Sequence, residues 1–206
     1  MSRRSAAFLA AVFATLAALV AAGAFTRLDQ WSIDHLMPGG SFRHKPESLI
    51  NGLVPLLHAS WGSGYAIAVD IVTLPASFVI ALVTVALCSR ALGLALIAAV
   101  GVEVICKELL TRPALYDGSF HIAAFDSSFP SGHALRTVLV AAAVSLRWPR
   151  ARPFAIAWTI ASLVLLLLAG WHTPSDLAGG VVLAGLALLC ARSAGALRRR
   201  RLPRGA

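Results

Sequence analysis

Carboxylates are scarce in this chain. Nine Asp and Glu stand against 18 Lys and Arg in 206 residues, and charged residues of both signs make up only 13%. A soluble domain carries about 25%, so soluble-domain reasoning is excluded and the chain reads as an integral membrane protein. No acidic cluster suits Mg²⁺, and the sequence calls for no metal and no cofactor. The three cysteines, Cys88, Cys106 and Cys190, are odd in number, lie in apolar stretches and match no metal or redox spacing. They read as small buried hydrophobes. Internal repeats and low-complexity tracts are lacking, so 1–206 is taken as one domain. The net charge of +9 raises the question of nucleic acid, but no polar domain exists to carry such binding.

What the chain does have is apolar length: 58% hydrophobic residues and a mean hydropathy of +0.79. A membrane helix needs about 20 mostly apolar residues. Six candidates follow, at 6–25, 66–88, 91–111, 132–147, 154–171 and 175–197, the fourth being short. The expected fold is all-α, a six-transmembrane-helix bundle with an outer loop at 26–65. The first span also has the marks of a signal peptide, with Arg3, Arg4 and small residues near Ala22, Gly23 and Ala24. Its apolar stretch is long for that role and favours a retained anchor.

Basic residues sit at the edges of the apolar runs: Arg3 and Arg4, Arg90, Arg147 to Arg152, and Arg198 to Arg204. By the positive-inside rule these edges are cytoplasmic. The segments 26–65, 112–131 and 172–174 then face outward. The 26–65 loop mixes Arg27, Arg43 and Lys45 with Asp29, Asp34 and Glu47, and Glu47 to His58 is expected as a short amphipathic helix on the outer surface.

That topology sends three polar clusters to one face. The first is KELLTRP, Lys107 to Pro113. Its two cations, Lys107 and Arg112, can snorkel to headgroups, or Lys107 can pair with Glu103 one turn earlier. The second is Pro130-Ser131-Gly132-His133. Ser131 is a good N-cap and Gly132 leaves the backbone uncovered. A helix start presents free N–H groups and a dipole that favours an anion, with His133 in its first turn. The third is GWHTPSD, Gly170 to Asp176. His172 and Asp176 are four apart, so one helical turn puts the carboxylate beside the imidazole, where it can hold one tautomer and stabilise the imidazolium. Asp176 can equally serve only its own helix, since Thr173, Pro174 and Asp176 resemble a capping box with Pro at the first helical position. Together, two cations, an anion cradle, two histidines and a carboxylate describe a phosphotransfer site.

With these residues in view, the chain resembles the type-2 phosphatidic acid phosphatase superfamily, which includes membrane lipid phosphatases and soluble vanadium haloperoxidases. The likeness rests on Lys107…Arg112-Pro113, Pro130-Ser131-Gly132-His133 and His172…Asp176, and covers about residues 26 to 195. The resemblance implies that His172 attacks phosphorus and becomes a phosphohistidine, that Asp176 orients it, and that His133 protonates the leaving group. It implies that Lys107, Arg112, Ser131 and Gly132 hold the phosphoryl oxygens. Two departures stand out. Four residues rather than six separate Lys107 from Arg112-Pro113, with Ala114 where a second Arg would stand. Leu165 and Leu166 occupy the Ser-Arg slots of the third motif. Arg136, one turn into the fourth span, is a candidate to compensate, or else a snorkelling or ion-paired residue.

The expected function is a metal-independent lipid phosphatase, multi-pass in the cell membrane, with its site on the extracytoplasmic face. Its partners would be the bilayer and a phospholipid or isoprenoid phosphate such as undecaprenyl diphosphate, phosphatidate or phosphatidylglycerol phosphate. A lipid phosphotransferase and a catalytically inactive phospholipid-binding relative are the alternatives.

Overall fold

The computed structural model describes residues 3–37 and 71–201. These residues are mostly helical. The order is α1 (Arg3–Ala21), α2 (Thr26–Leu36), α3 (Phe78–Cys88), α4 (Arg90–Leu109), a two-residue hairpin of β1 (Tyr116–Asp117) and β2 (Phe120–His121), α5 (Gly132–Arg147), α6 (Arg152–Leu168) and α7 (Pro174–Arg201). In the hairpin Tyr116 pairs with His121 and Asp117 with Phe120, antiparallel.

Helix α7 packs against α1, α4 and α5, while α5 packs against α3 and α6. The main core lies between them, with Phe13, Leu96, Leu135, Leu139 and Leu183 buried together. Other large apolar side chains, including Phe8, Leu87, Leu94, Leu109 and Phe154, face outward, as suits helices whose surroundings are hydrocarbon.

Three described helical segments are long and apolar enough to cross a membrane: Arg4–Ala21, Pro149–Leu168 and Pro174–Ala194. The expected count of six is not reached among the described residues. Helix α4 has the length but carries Arg90, Glu103, Lys107 and Glu108. Helix α5 has 16 residues, about 24 Å at 1.5 Å per residue, against a hydrocarbon core of about 30 Å. The expected span at 66–88 is interrupted: Pro75 sits in a 3₁₀ turn at Leu74–Ala76, and only the 11 residues of α3 continue as α-helix. Proline lacks the N–H that an unbroken helix needs there.

The expected outer loop also begins differently, because Thr26–Leu36 is a helix. Its composition is too polar to read as a span, yet Asp29, Ser32 and Ile33 form a buried face. The helix expected at Glu47 to His58 lies outside the described residues. Ile33 and Met37 meet Leu115, Ile122 and Phe125 in a second small core, and the Gln30 amide clamps Tyr116, donating to its carbonyl (2.7 Å) and accepting from its N–H (3.0 Å). Helix α2 and the hairpin therefore form one cap at the end of the bundle.

Gly180 marks the closest approach of α7 to α5. A Cβ there would overlap the Ser131 carbonyl oxygen and lie 2.8 Å from the Ala134 Cβ. A backbone atom cannot rotate away, so Gly180→Ala should destabilise the fold by about 1–3 kcal/mol, read as a lowered melting temperature of the purified protein in detergent. An unchanged melting temperature would show that the crossing is looser than described.

Candidate active site

The site forms where α5 and α7 begin. Helix α5 starts as its sequence dictates: Ser131 is the N-cap, its hydroxyl accepting from the Ala134 N–H at 3.2 Å. The Ser131 N–H in turn donates to the Asp176 carbonyl at 2.9 Å, which ties the two helix starts together. His133 follows in the first turn.

His172 is delivered by a tight reversal after α6. Gly170 adopts φ +69°, open to glycine at little cost, and the reversal is a Schellman motif: Gly170 N–H donates to Leu167 O and Trp171 N–H to Leu166 O, both at 3.0 Å. Pro174 then opens α7. The result brings the two imidazoles together nitrogen to nitrogen, with His172 Nε2 3.4 Å from His133 Nδ1, ring centroids 5.5 Å apart and the ring planes tilted by 54°. Trp171 meets His133 edge-on at 5.4 Å.

Behind the imidazoles lies a buried polar core. Asp176 is fully buried. Its Oδ2 accepts from the Thr173 N–H (3.0 Å) and the Ser128 hydroxyl (2.7 Å), and sits 3.8 Å from His172 Nδ1. The first of these bonds is the capping contact that the Thr173–Asp176 spacing allows, so Asp176 caps its helix and backs His172 at once. The 3.8 Å separation is ion-pair range rather than a formed hydrogen bond.

Arg112, expected on the phosphate, bonds two carboxylates. Its Nη1 donates to Asp176 Oδ1 at 3.1 Å and to Thr173 Oγ1 at 3.2 Å, and its Nη2 bonds Asp29 Oδ2. Asp29 is itself fully buried and accepts from the Ser175 N–H (3.1 Å) and hydroxyl (2.6 Å). Two carboxylates thus share one guanidinium, a cost in burial that only close pairing and full hydrogen bonding offset.

The other cations gather at Glu103. Lys107 Nζ lies 2.7 Å from Glu103 Oε1, the pairing its i, i+4 spacing permits, and Arg136 Nη1 lies 3.3 Å from Oε2. Arg136 also donates to the Ala76 carbonyl at 2.8 Å, so its contacts are structural ones at the break before α3. The Glu103 carboxylate abuts Gly132, filling the space that a Cβ would need. Lys107, Arg136 and Gly132 therefore meet through Glu103, while Arg112 meets Asp176, and His133 meets His172. Leu166, in the place of the family's Arg, is buried and offers only its backbone carbonyl to the reversal.

Asp29, Ser128 and Ser175 were not among the expected site residues. Ser128 stands two residues before Pro130 and carried no assigned role. Asp29 had one visible signal, its i, i+4 spacing to Ile33 in an otherwise polar stretch. Among the described residues no group of three or more His, Cys, Asp or Glu is placed to hold a metal ion.

An apolar helical bundle of membrane type, ending in two imidazoles in contact, one of them backed by a buried carboxylate, defines the class. The chain belongs to the PAP2 superfamily: the family model matches residues 5–199, the family that the three motifs resemble. Phosphatase-type activity comes with that membership. No curated protein and no solved structure matches the chain.

Proposed function

We propose that the chain is a membrane lipid phosphatase acting through a phosphohistidine on His172. The observation that carries this reading is the contact of His172 Nε2 with His133 Nδ1, with Asp176 behind the other nitrogen of His172. In the first step neutral His172 attacks phosphorus through Nε2. The P–O bond to the alcohol or diphosphate leaving group breaks, and the leaving oxygen takes a proton from the His133 imidazolium. The positive charge formed on His172 faces Asp176. In the second step His133 takes a proton from water, the water oxygen bonds phosphorus, and the P–N bond breaks to release phosphate and restore both histidines.

The 3.4 Å gap between the rings has room for a proton and not for a phosphoryl group. Substrate entry therefore parts them, and half-buried His133, rather than buried His172, is the ring to move. The phosphoryl oxygens are assigned to the start of α5 at Gly132 and to Lys107, whose side chain is 34% exposed and can turn from Glu103.

Two features support a lipid substrate on the extracytoplasmic side. The site lies at the end of apolar helices, so a bilayer-embedded tail can reach it. The basic turn carrying Arg147, Arg150 and Arg152 joins the opposite ends of α5 and α6, the end that the positive-inside rule puts in the cytoplasm.

The test is phosphate release by the purified protein in detergent with EDTA, using phosphatidate, phosphatidylglycerol phosphate and undecaprenyl diphosphate. Release from at least one at a rate unaffected by EDTA is expected. Loss of release on chelation would reject the metal-free mechanism. No release from any of the three would favour a phospholipid-binding protein.

A further inference from the structure

We propose that Asp29 is a positioning residue for the reaction, acting on His172 through Arg112 and Asp176; this rests on the phosphatase reading above. Asp29 belongs to α2, outside all three motifs, and is fully buried. Its carboxylate makes three contacts, each leading to the start of α7. Oδ2 bonds Arg112 Nη2, and the same guanidinium holds Asp176 Oδ1 through Nη1 at 3.1 Å. The Ser175 N–H and hydroxyl donate to Oδ1 and Oδ2. Asp29 thus fixes residue 175 directly and residue 176 through one guanidinium, which bridges Asp29 and Asp176.

This arrangement has an electrostatic consequence. Asp176 must stabilise the charge that grows on His172 during attack, and Arg112 competes for that same carboxylate. Asp29 occupies the other side of the guanidinium and limits its claim on Asp176. With Asp29 neutral, Arg112 has a single anionic partner in this network and draws it away from the imidazole. The loss then falls on the step in which His172 becomes positive rather than on substrate binding.

The experiment compares Asp29→Asn, Asp176→Asn, the double variant and His172→Ala in one detergent with EDTA. It uses whichever of the three lipid phosphates the parent chain turns over fastest. Asp29→Asn should lower kcat by roughly 10- to 100-fold, as for partners that orient a functional group from behind, with KM changed less than about threefold. In the Asp176→Asn background the same change should cost less than about threefold, because its route to His172 is already cut. Equal losses in both backgrounds would make Asp29 merely structural and overturn the inference, as would full kcat in Asp29→Asn. If Asp29→Asn yields no folded protein, Ser175→Ala replaces it, removing only the hydroxyl on Asp29 Oδ2. A several-fold kcat loss that vanishes with Asp176→Asn supports the role, and an unchanged kcat overturns it. Activity surviving in His172→Ala removes His172 as the nucleophile, no turnover by the parent chain removes the phosphatase reading, and the positioning role falls with either.

Discussion

His172→Ala is expected to abolish phosphate release, with turnover falling by roughly 10³- to 10⁶-fold, the range seen when a covalent nucleophile is removed. The size of the effect follows from the geometry. Of the two imidazoles in the site, His172 has the carboxylate behind it, Asp176 Oδ2 standing 3.8 Å from Nδ1, and its other nitrogen is turned to His133. Among the described residues no neighbouring side chain is placed to take over both roles: Ser128 is spent on Asp176, and Ser131 on the start of α5. The fold should tolerate the change, because the reversal that delivers residue 172 is built from backbone hydrogen bonds of Gly170 and Trp171. Released phosphate and a thermal melt on the same preparation separate the two effects. Rapid quenching with radiolabelled substrate adds a second readout: the parent chain should retain label on an acid-labile, base-stable linkage, and the variant none. Release at parental rates by well-folded His172→Ala would reject the nucleophile.

The second large effect is one of stability. Arg112→Ala leaves Asp29 and Asp176 facing each other with no cation between them, both fully buried. Removing one partner from a buried ion pair costs about 3–5 kcal/mol, and here two carboxylates lose their counter-charge at once. The remaining donors, from Ser128, Thr173 and Ser175, satisfy lone pairs but supply no positive charge. A steep fall in melting temperature and folded yield is expected. Lys107→Ala is the contrast: Lys107 is partly exposed, and Glu103 keeps Arg136, so its loss should scarcely move the melt. Matching melting temperatures for the two variants would mean that the Asp–Arg–Asp core contributes little.

The local signals in the sequence were readable. Ser131 and Pro174 start helices because a hydroxyl cap and a fixed φ act within a few residues. Sidedness then sent the Arg112, His133 and His172 stretches to one end, and the structure brings them into contact. The Lys107–Glu103 pair was legible from i, i+4 spacing. Asp29 was not, because its partners lie 83 and 146 residues away and its own helix lacks the apolar length that marks a span. The break at Leu74–Ala76 had a visible cause in Pro75, which hydropathy averaged over a long window conceals. The surroundings of Arg112 were a different matter: a motif gives the position of a cation, and the carboxylates that reach it, Asp29 and Asp176, are set by tertiary packing.

The Gln30 clamp on Tyr116 joins α2 to the strand that follows Arg112. With Asp29 one residue before Gln30 and Arg112 four before Tyr116, the two partners of the ion pair are each stapled to the same rigid crosspiece. Because Asp29 also holds Ser175 and Arg112 also holds Asp176, that crosspiece is bolted to the first turn of α7, and any shift of α2 would be felt directly beneath His172.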